Sequence, residues 1–246
     1  MCTLISDTHK IPGRHTMKPE KFLRGVHLFQ SLSPYDSEHL AASLKRRSLK
    51  KGEALFRKGD EGTSLYIVKS GSVKIVLPSD MGDEVAPAIL SEGDCFGEMA
   101  LLDGLPRSAD VVALEPSELL VLNQKDFLVF LKDNEEAIQS IFSYLSMRLR
   151  KTDDLLEDAH FLNISTRFAR RLVELSKKYG HQKEEGGAIQ IDLRLTQKDL
   201  ASIVGATRES INKELRILRE KGLVSTEGNT IYILNMERLE RRAHPQ

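Results

Sequence analysis

Two stretches of this sequence carry charged and hydroxyl side chains at spacings that could do chemistry. Residues 96–109 read FGEMALLDGLPRSA, with Glu98 and Arg107 nine positions apart and Ser108 directly after the arginine. An ionised carboxylate accepts hydrogen bonds from vicinal sugar hydroxyls, and a guanidinium offers a forked donor to a phosphate diester. Ser108 and nearby backbone N–H groups would add donors. Gly97 would let a ligand approach the backbone, and Pro106 would stiffen the loop. Charge-assisted bonds of this kind contribute about 1.5–3 kcal/mol each. The residues alone leave a second reading open: a Glu98–Arg107 surface ion pair, worth under about 1 kcal/mol.

The second stretch, residues 196–222, reads TQKDLASIVGATRESINKELRILREKG. Thr196 can cap a helix over 197–204, with Asp199 placed to complete a capping box. Gly205 supplies the left-handed residue that ends it, and Thr207 caps a second helix running to Gly222. Ala201 is small where the two helices would cross. Ile211, Leu215 and Leu218 turn one face of the second helix inward, leaving Arg208, Glu209, Asn212, Lys213 and Arg216 outward. This is a helix-turn-helix pattern that presents its second helix to a DNA major groove. Arg208 and Lys213 can donate to guanine, and Glu209 can accept from cytosine. Thr207, Ser210 and Arg216 suit phosphates. An ordinary helical hairpin with a solvated outer face fits the helix pair equally well. A wing is predicted from LVST, a Glu227-Gly228-Asn229 turn and TIYIL.

Elements around these stretches must position them. The chain has 246 residues with 36 basic and 36 acidic side chains, a balance that points away from nucleic acid until it is divided. Residues 163–246 hold 16 basic and 11 acidic residues, net +5, so residues 1–162 carry −5. Such asymmetry is itself a partner signal. Cys2 and Cys95 are the only cysteines, no apolar run reaches membrane-spanning length, and the first ten residues lack a signal-peptide pattern. A cytoplasmic protein without a disulfide framework is expected.

Residues 1–17 read as a poorly ordered tail, and 18–44 as two short helices. Between about 48 and 122, short apolar runs alternate with glycine turns, the pattern of an antiparallel sandwich or barrel. Lys69-Ser70-Gly71-Ser72 reads as a tight hairpin. Residues 124–160 contain no proline or glycine and read as one long helix. On it Ile138, Phe142, Leu145, Leu149, Thr152, Leu156 and Ala159 repeat at spacings of four and three, a heptad seam with polar Thr152 in it. Pairing with a second copy is the favoured reading, and packing against the barrel is the other. A helix near 163–179 and a strand over 189–195 precede the helix-turn-helix. The fold class expected is α+β.

The motif FGEMALLDGLPRSADVVA is similar to the phosphate-binding cassette of cyclic-nucleotide-binding domains, and GEALFRKGDEGTSLYIVKSGSVKI resembles the strands before it. With the long helix and winged helix-turn-helix, residues 20–234 resemble the cyclic AMP receptor protein (CRP/FNR) family of bacterial regulators. The resemblance implies an antiparallel β jelly-roll sensor over 18–123, a dimerisation helix and hinge over 124–162, and a winged helix-turn-helix domain over 163–246. It implies a nucleotide site of Gly97, Glu98, Met99, Arg107, Ser108 and Ala109, with Glu98 at the ribose and Arg107, Ser108 and Ala109 at the cyclic phosphate. Thr152 and Asp153 occupy the family's base-contacting positions, although a serine is usual at the second. The family's DNA-reading arginine pattern ends here in Lys213, which lacks the guanidinium fork. Implied partners are a second copy, a two-fold symmetric duplex and RNA polymerase.

Cyclic AMP is the favoured effector, with cyclic GMP possible. A diverged pocket taking another ligand or none, and a nucleotide-binding subunit acting on a partner protein, are the alternatives. Two cysteines cannot ligate an iron–sulfur cluster. The seven histidines are scattered, and His160 reads as a hinge residue, so neither haem nor another metal is expected. No catalytic constellation stands out, and an enzyme is not expected.

Overall fold

The structure, a computed structural model, describes residues 19–30, 32–80, 82–132, 134–183 and 187–244. The tail expected at 1–17 lies outside the described residues. The chain opens with α1 (Pro19–Arg24), a 3₁₀ turn at His27–Phe29 and α2 (Pro34–Ser43). Pro34 stands in the first turn of α2, after Ser33 as its side-chain cap, where a missing N–H costs nothing. Three short pieces thus replace the two helices expected, because the apolar side chains around Val26 are drawn under the barrel rather than along one axis. Leu23, Val26, Leu28 and Phe29 are all buried there.

Eight strands follow: β1 (Lys45–Leu49), β2 (Ala54–Phe56), β3 (Ser64–Ser70), β4 (Ser72–Pro78), β5 (Glu84–Ser91), β6 (Cys95–Phe96), β7 (Asp110–Ala113) and β8 (Ser117–Asn123). They form two four-stranded antiparallel sheets, ordered β1-β8-β3-β6 and β2-β7-β4-β5. That order is the jelly roll the sequence resemblance implied. The hairpin expected at 69–72 does not form. Gly71 is a corner at which the chain leaves one sheet for the other, and β4 pairs with β5 and β7 instead. The turn signal was real, but its partner strands were not the adjacent ones. A short helix α3 (Glu98–Asp103) interrupts the strands between β6 and β7.

The single helix expected from residue 124 is two helices, α4 (Gln124–Lys132) and α5 (Glu135–Phe161). Asn134 separates them by accepting from the N–H of Ala137, with Glu135 and Glu136 in the first turn of α5. A side-chain cap followed by acids is a helix start. Phe127 and Phe130 of α4 pack into the core beneath β3 and β8, so α4 is part of the barrel unit.

The carboxyl-terminal unit comprises α6 (Ile164–Tyr179), β9 (Gly180–Gln182), β10 (Ile189–Ile191), α7 (Gln197–Val204), α8 (Arg208–Glu220), β11 (Val224–Glu227), β12 (Thr230–Ile233) and α9 (Met236–Ala243). The strand expected over 189–195 is regular only to Ile191, yet Leu193 and Leu195 stay buried and Asp192 and Arg194 exposed. Alternation persists after ladder pairing stops. β11 and β12 form the wing and join β10 and β9 in one four-stranded sheet.

Candidate nucleotide and DNA sites

The Glu98 side chain is 2 % exposed, at the start of α3. One carboxylate oxygen accepts from Arg148 of α5 at 2.6 Å, and the other is buried without a hydrogen-bond partner. Arg107 is also buried, but it makes no ion pair with Glu98, whose partner is Arg148. Arg107 donates to the carbonyls of Gly97 and Ser64, each at 2.8 Å, and its guanidinium carbon lies 4.3 Å over the Phe56 ring. Its Nε is buried and unpaired. The alternative of a Glu98–Arg107 surface pair is therefore excluded by geometry. Burial lowers the Arg107 pKa, partly opposed by Tyr66 and Glu98.

Gly97 has φ +85°, and a Cβ there would lie 2.6 Å from the Arg107 guanidinium. Only glycine suits such a backbone. The close approach that it permits is by Arg107 itself, a neighbour that the sequence reading had assigned to a ligand.

Phe56, Gly97, Glu98, Met99, Arg107, Ser108, Ala109 and Arg148 line one narrow cavity. Of the expected site residues, Thr152 and Asp153 are not in it. They are exposed on α5 one turn beyond Arg148, where Thr152 donates to the Arg148 carbonyl at 3.0 Å. Arg148 and Phe56 were missed from sequence. Arg148 had a signal, because it stands four residues before Thr152 and so on the same helix face. Burial opposes the charge on Arg148, but Glu98 and Tyr144 raise its pKa overall. Tyr144 donates to the Cys95 carbonyl at 2.5 Å, and burial followed by the Glu98 charge pushes its hydroxyl pKa up.

In the carboxyl-terminal unit, Thr196 and Asp199 make the expected capping box, and Gly205 takes φ +66° at the end of α7. Thr207 accepts from the N–H of Ser210 to start α8. Ile211, Leu215 and Leu218 are buried, while Arg208, Glu209, Lys213 and Arg216 are exposed along the opposite side. Asn212 departs from the outward set: it is half-buried, and its Oδ1 has no partner. Arg208 is held by Gln197 of α7 at 3.3 Å, and Arg216 lies 3.7 Å from Glu220.

Two family models match the chain, a cyclic nucleotide-binding domain over residues 46–134 and a Crp-like helix-turn-helix domain over 166–242. The CRP-like cAMP-activated global transcriptional regulator of Mycobacterium tuberculosis is 31 % identical over 91 % of this chain and 99 % of that protein. The chain belongs to the CRP/FNR family. It is a cyclic-nucleotide-binding, DNA-binding transcription regulator rather than an enzyme. The cyclic AMP receptor protein of Thermus thermophilus is 32 % identical over 90 % of this chain and 98 % of its own length. The solved structure of the c-di-GMP responsive global regulator CLP of Xanthomonas campestris shares 27 % identity, with a TM-score of 0.73 over 82 % of this chain and 100 % of that one. FixK2 of Bradyrhizobium japonicum, at 18 % identity and a TM-score of 0.72 over 82 % of this chain and 98 % of that one, shares the fold.

In CRP/FNR terms α5 is the long central helix, and its two faces differ. Ala137, Ile141 and Tyr144 are buried against the barrel. On the seam, Phe142, Leu149 and Leu156 are 65 %, 64 % and 70 % exposed, Ile138 is exposed, and Leu145 is half-buried. The barrel-packing reading is thus realised on the face of Ala137, Ile141 and Tyr144, while most of the seam lies on an adjoining face that the chain itself leaves uncovered. At its end Asp158 is buried against Arg170 and Arg171 of α6. Arg167 reaches the carbonyls of Ala159 and Gly205, each at 3.2 Å, joining the hinge to the helix-turn-helix corner. His160 is exposed, edge-on to Phe161. Among the described residues no helix is long and apolar enough to cross a membrane, and no cluster could hold a metal ion.

Proposed function

We propose that this regulator is a cytoplasmic homodimer whose effector is cyclic AMP and whose target is a two-fold symmetric duplex. The observation that carries the effector reading is that Glu98 and Arg107 line one cavity and that each keeps a buried polar atom without a partner, Glu98 Oε2 and Arg107 Nε. Buried polar groups without partners are costly. A ribose hydroxyl supplies the missing donor to Glu98, and a cyclic phosphate oxygen the missing acceptor for Arg107, with Ser108 and Ala109 beside it. Gly97 and Met99 complete the wall. Thr152 and Asp153 lie outside the cavity of the single chain. Their place is beside the seam, where a partner's α5 would bring the base between two subunits.

In this reading residues 18–123 sense, 124–162 dimerise and hinge, and 163–246 bind DNA, with α4 packed as part of the sensor. The seam of Ile138, Phe142, Leu145, Leu149, Thr152, Leu156 and Ala159 meets its copy. Arg208, Glu209 and Lys213 read bases, while Thr207, Ser210 and Arg216 position the backbone. RNA polymerase is the partner at the promoter. Asp153 favours an amine-bearing base, because a carboxylate accepts from an exocyclic N–H. Calorimetry of the dimer with cyclic AMP and cyclic GMP tests the effector: saturable binding of cyclic AMP, tighter than cyclic GMP, is expected, and no heat with either overturns it. Arg107→Ala should abolish binding; unchanged affinity removes the phosphate role.

A further inference from the structure

Among the residues that line the nucleotide cavity, Met99 is the one whose side chain reacts readily with an oxidant. It is the second residue of α3 and is 43 % exposed, so an oxidant reaches it from solvent. Its sulfur accepts from the Ser108 hydroxyl at 3.6 Å. A thioether is a weak acceptor. The hydroxyl is therefore easily given up to a phosphate oxygen, the role assigned to Ser108 above.

Oxidation changes that balance. The sulfur lone pair attacks the O–O bond of a hydroperoxide. Sulfur takes one oxygen and becomes a sulfoxide, and the other oxygen leaves as water or an alcohol. Two electrons pass from sulfur to the peroxide, with no net gain or loss of protons. The product is polar, and its oxygen accepts a hydrogen bond far better than the thioether did. Held beside Ser108, that oxygen keeps the hydroxyl from the phosphate, and in a narrow cavity the added atom takes space from the ligand. Among the described residues, the other sulfur side chains lack this placement. Met147 is 51 % exposed but stands on α5 outside the cavity. Met236 is half-buried in the carboxyl-terminal unit, its sulfur 3.9 Å from the Ser176 hydroxyl. Cys95 is buried, and burial pushes its thiol pKa well up, which suppresses the reactive thiolate.

We propose that Met99 is an oxidation site built into the effector pocket: a hydroperoxide converts it to the sulfoxide, whose oxygen captures the Ser108 hydroxyl and weakens cyclic-nucleotide binding. The inference rests on the effector reading above, in which Ser108 donates to the cyclic phosphate. Because methionine sulfoxide is reduced enzymatically, the modification is reversible.

The test treats the full chain with hydrogen peroxide and then with dithiothreitol, which reverses disulfides and sulfenic acids and leaves sulfoxides in place. Peptide mass spectrometry follows the added oxygen at each methionine, and calorimetry follows cyclic AMP. Oxidation at Met99 should accompany a fall in affinity on the order of tenfold, as for one lost hydrogen bond to a charged group. Methionine sulfoxide reductase should restore the starting value. Met147→Leu should keep the full sensitivity to peroxide. Met99→Leu, whatever its own affinity, should not respond to peroxide. Wild type oxidised at Met99 with unchanged affinity overturns the proposal. So does a Met99 that stays reduced while Met147 is oxidised, or a Met99→Leu variant that loses affinity as wild type does. A wild type that takes up no cyclic AMP before peroxide overturns the effector reading and the proposal together.

Discussion

At the scale of single residues, the sensor cavity is governed by one carboxylate and the two arginines near it. Glu98 is almost fully buried, and Arg148 is its ion-pair partner among the described residues. Replacing Arg148 with Met strands a buried charge. The expected loss is about 2–3 kcal/mol, below the ~3–5 kcal/mol of a wholly buried pair because the Arg148 side chain keeps solvent contact. Urea unfolding measures it. The double change Arg148→Met with Glu98→Gln should recover most of the loss; no recovery would show that Arg148 stabilises by packing instead. Arg107 needs the opposite expectation. Its two carbonyl bonds and its place over Phe56 make it structural as well as ligand-facing, so Arg107→Ala should lower stability by about 1–3 kcal/mol besides removing nucleotide binding.

Among the elements, α5 carries the most consequence. Its barrel face is closed by Ala137, Ile141 and Tyr144, and its other face leaves a stripe of large apolar side chains in water. An uncovered stripe of that length at heptad spacing is what a second helix buries. Leu149→Glu should therefore convert the dimer to monomer in sedimentation equilibrium while leaving circular dichroism unchanged, because Leu149 touches little within its own chain. A dimer that persists would move the interface elsewhere. Caps set the ends of the smaller helices. Thr196→Ala breaks the capping box of α7 and should cost about 1 kcal/mol of stability, read from thermal melts.

For the molecule as a whole, charge is divided between units, and Lys74 of β4 and Asp199 of α7, 2.9 Å apart, join them across the division. The +5 carboxyl-terminal unit supplies attraction to phosphate, so DNA affinity should fall steeply with salt. That ion pair should not respond to mild pH. Asp199 has a depressed pKa in the folded protein, so its contribution is full above the ordinary carboxylate value of about 3.9 and disappears as pH falls through the folded value below it. Lys74 is raised, so its contribution is full below about 10.4 and disappears as pH rises through its higher folded value. Between about pH 5 and 9 the stability difference between wild type and Lys74→Met in urea unfolding should stay flat. A steep change within that window would show that the pair titrates there.

Local patterns determined much of this protein. Alternating apolar runs with glycine turns gave the barrel, the 4-3 repeat gave the seam, and Thr196, Asp199, Gly205 and Thr207 gave the helix-turn-helix, because caps and periodicity act over a few residues. The break at Asn134 was equally local and was written in Asn-Glu-Glu, but an unbroken run without proline or glycine concealed it. Only the tertiary structure decided which charges meet. Glu98 finds Arg148 fifty positions away, and Lys74 finds Asp199 at a separation of 125. Arg107, which sequence proximity suggested for Glu98, instead turns to Gly97 and Ser64. Such pairings depend on where separately formed elements dock, and docking is set by the shared apolar core rather than by any spacing along the chain.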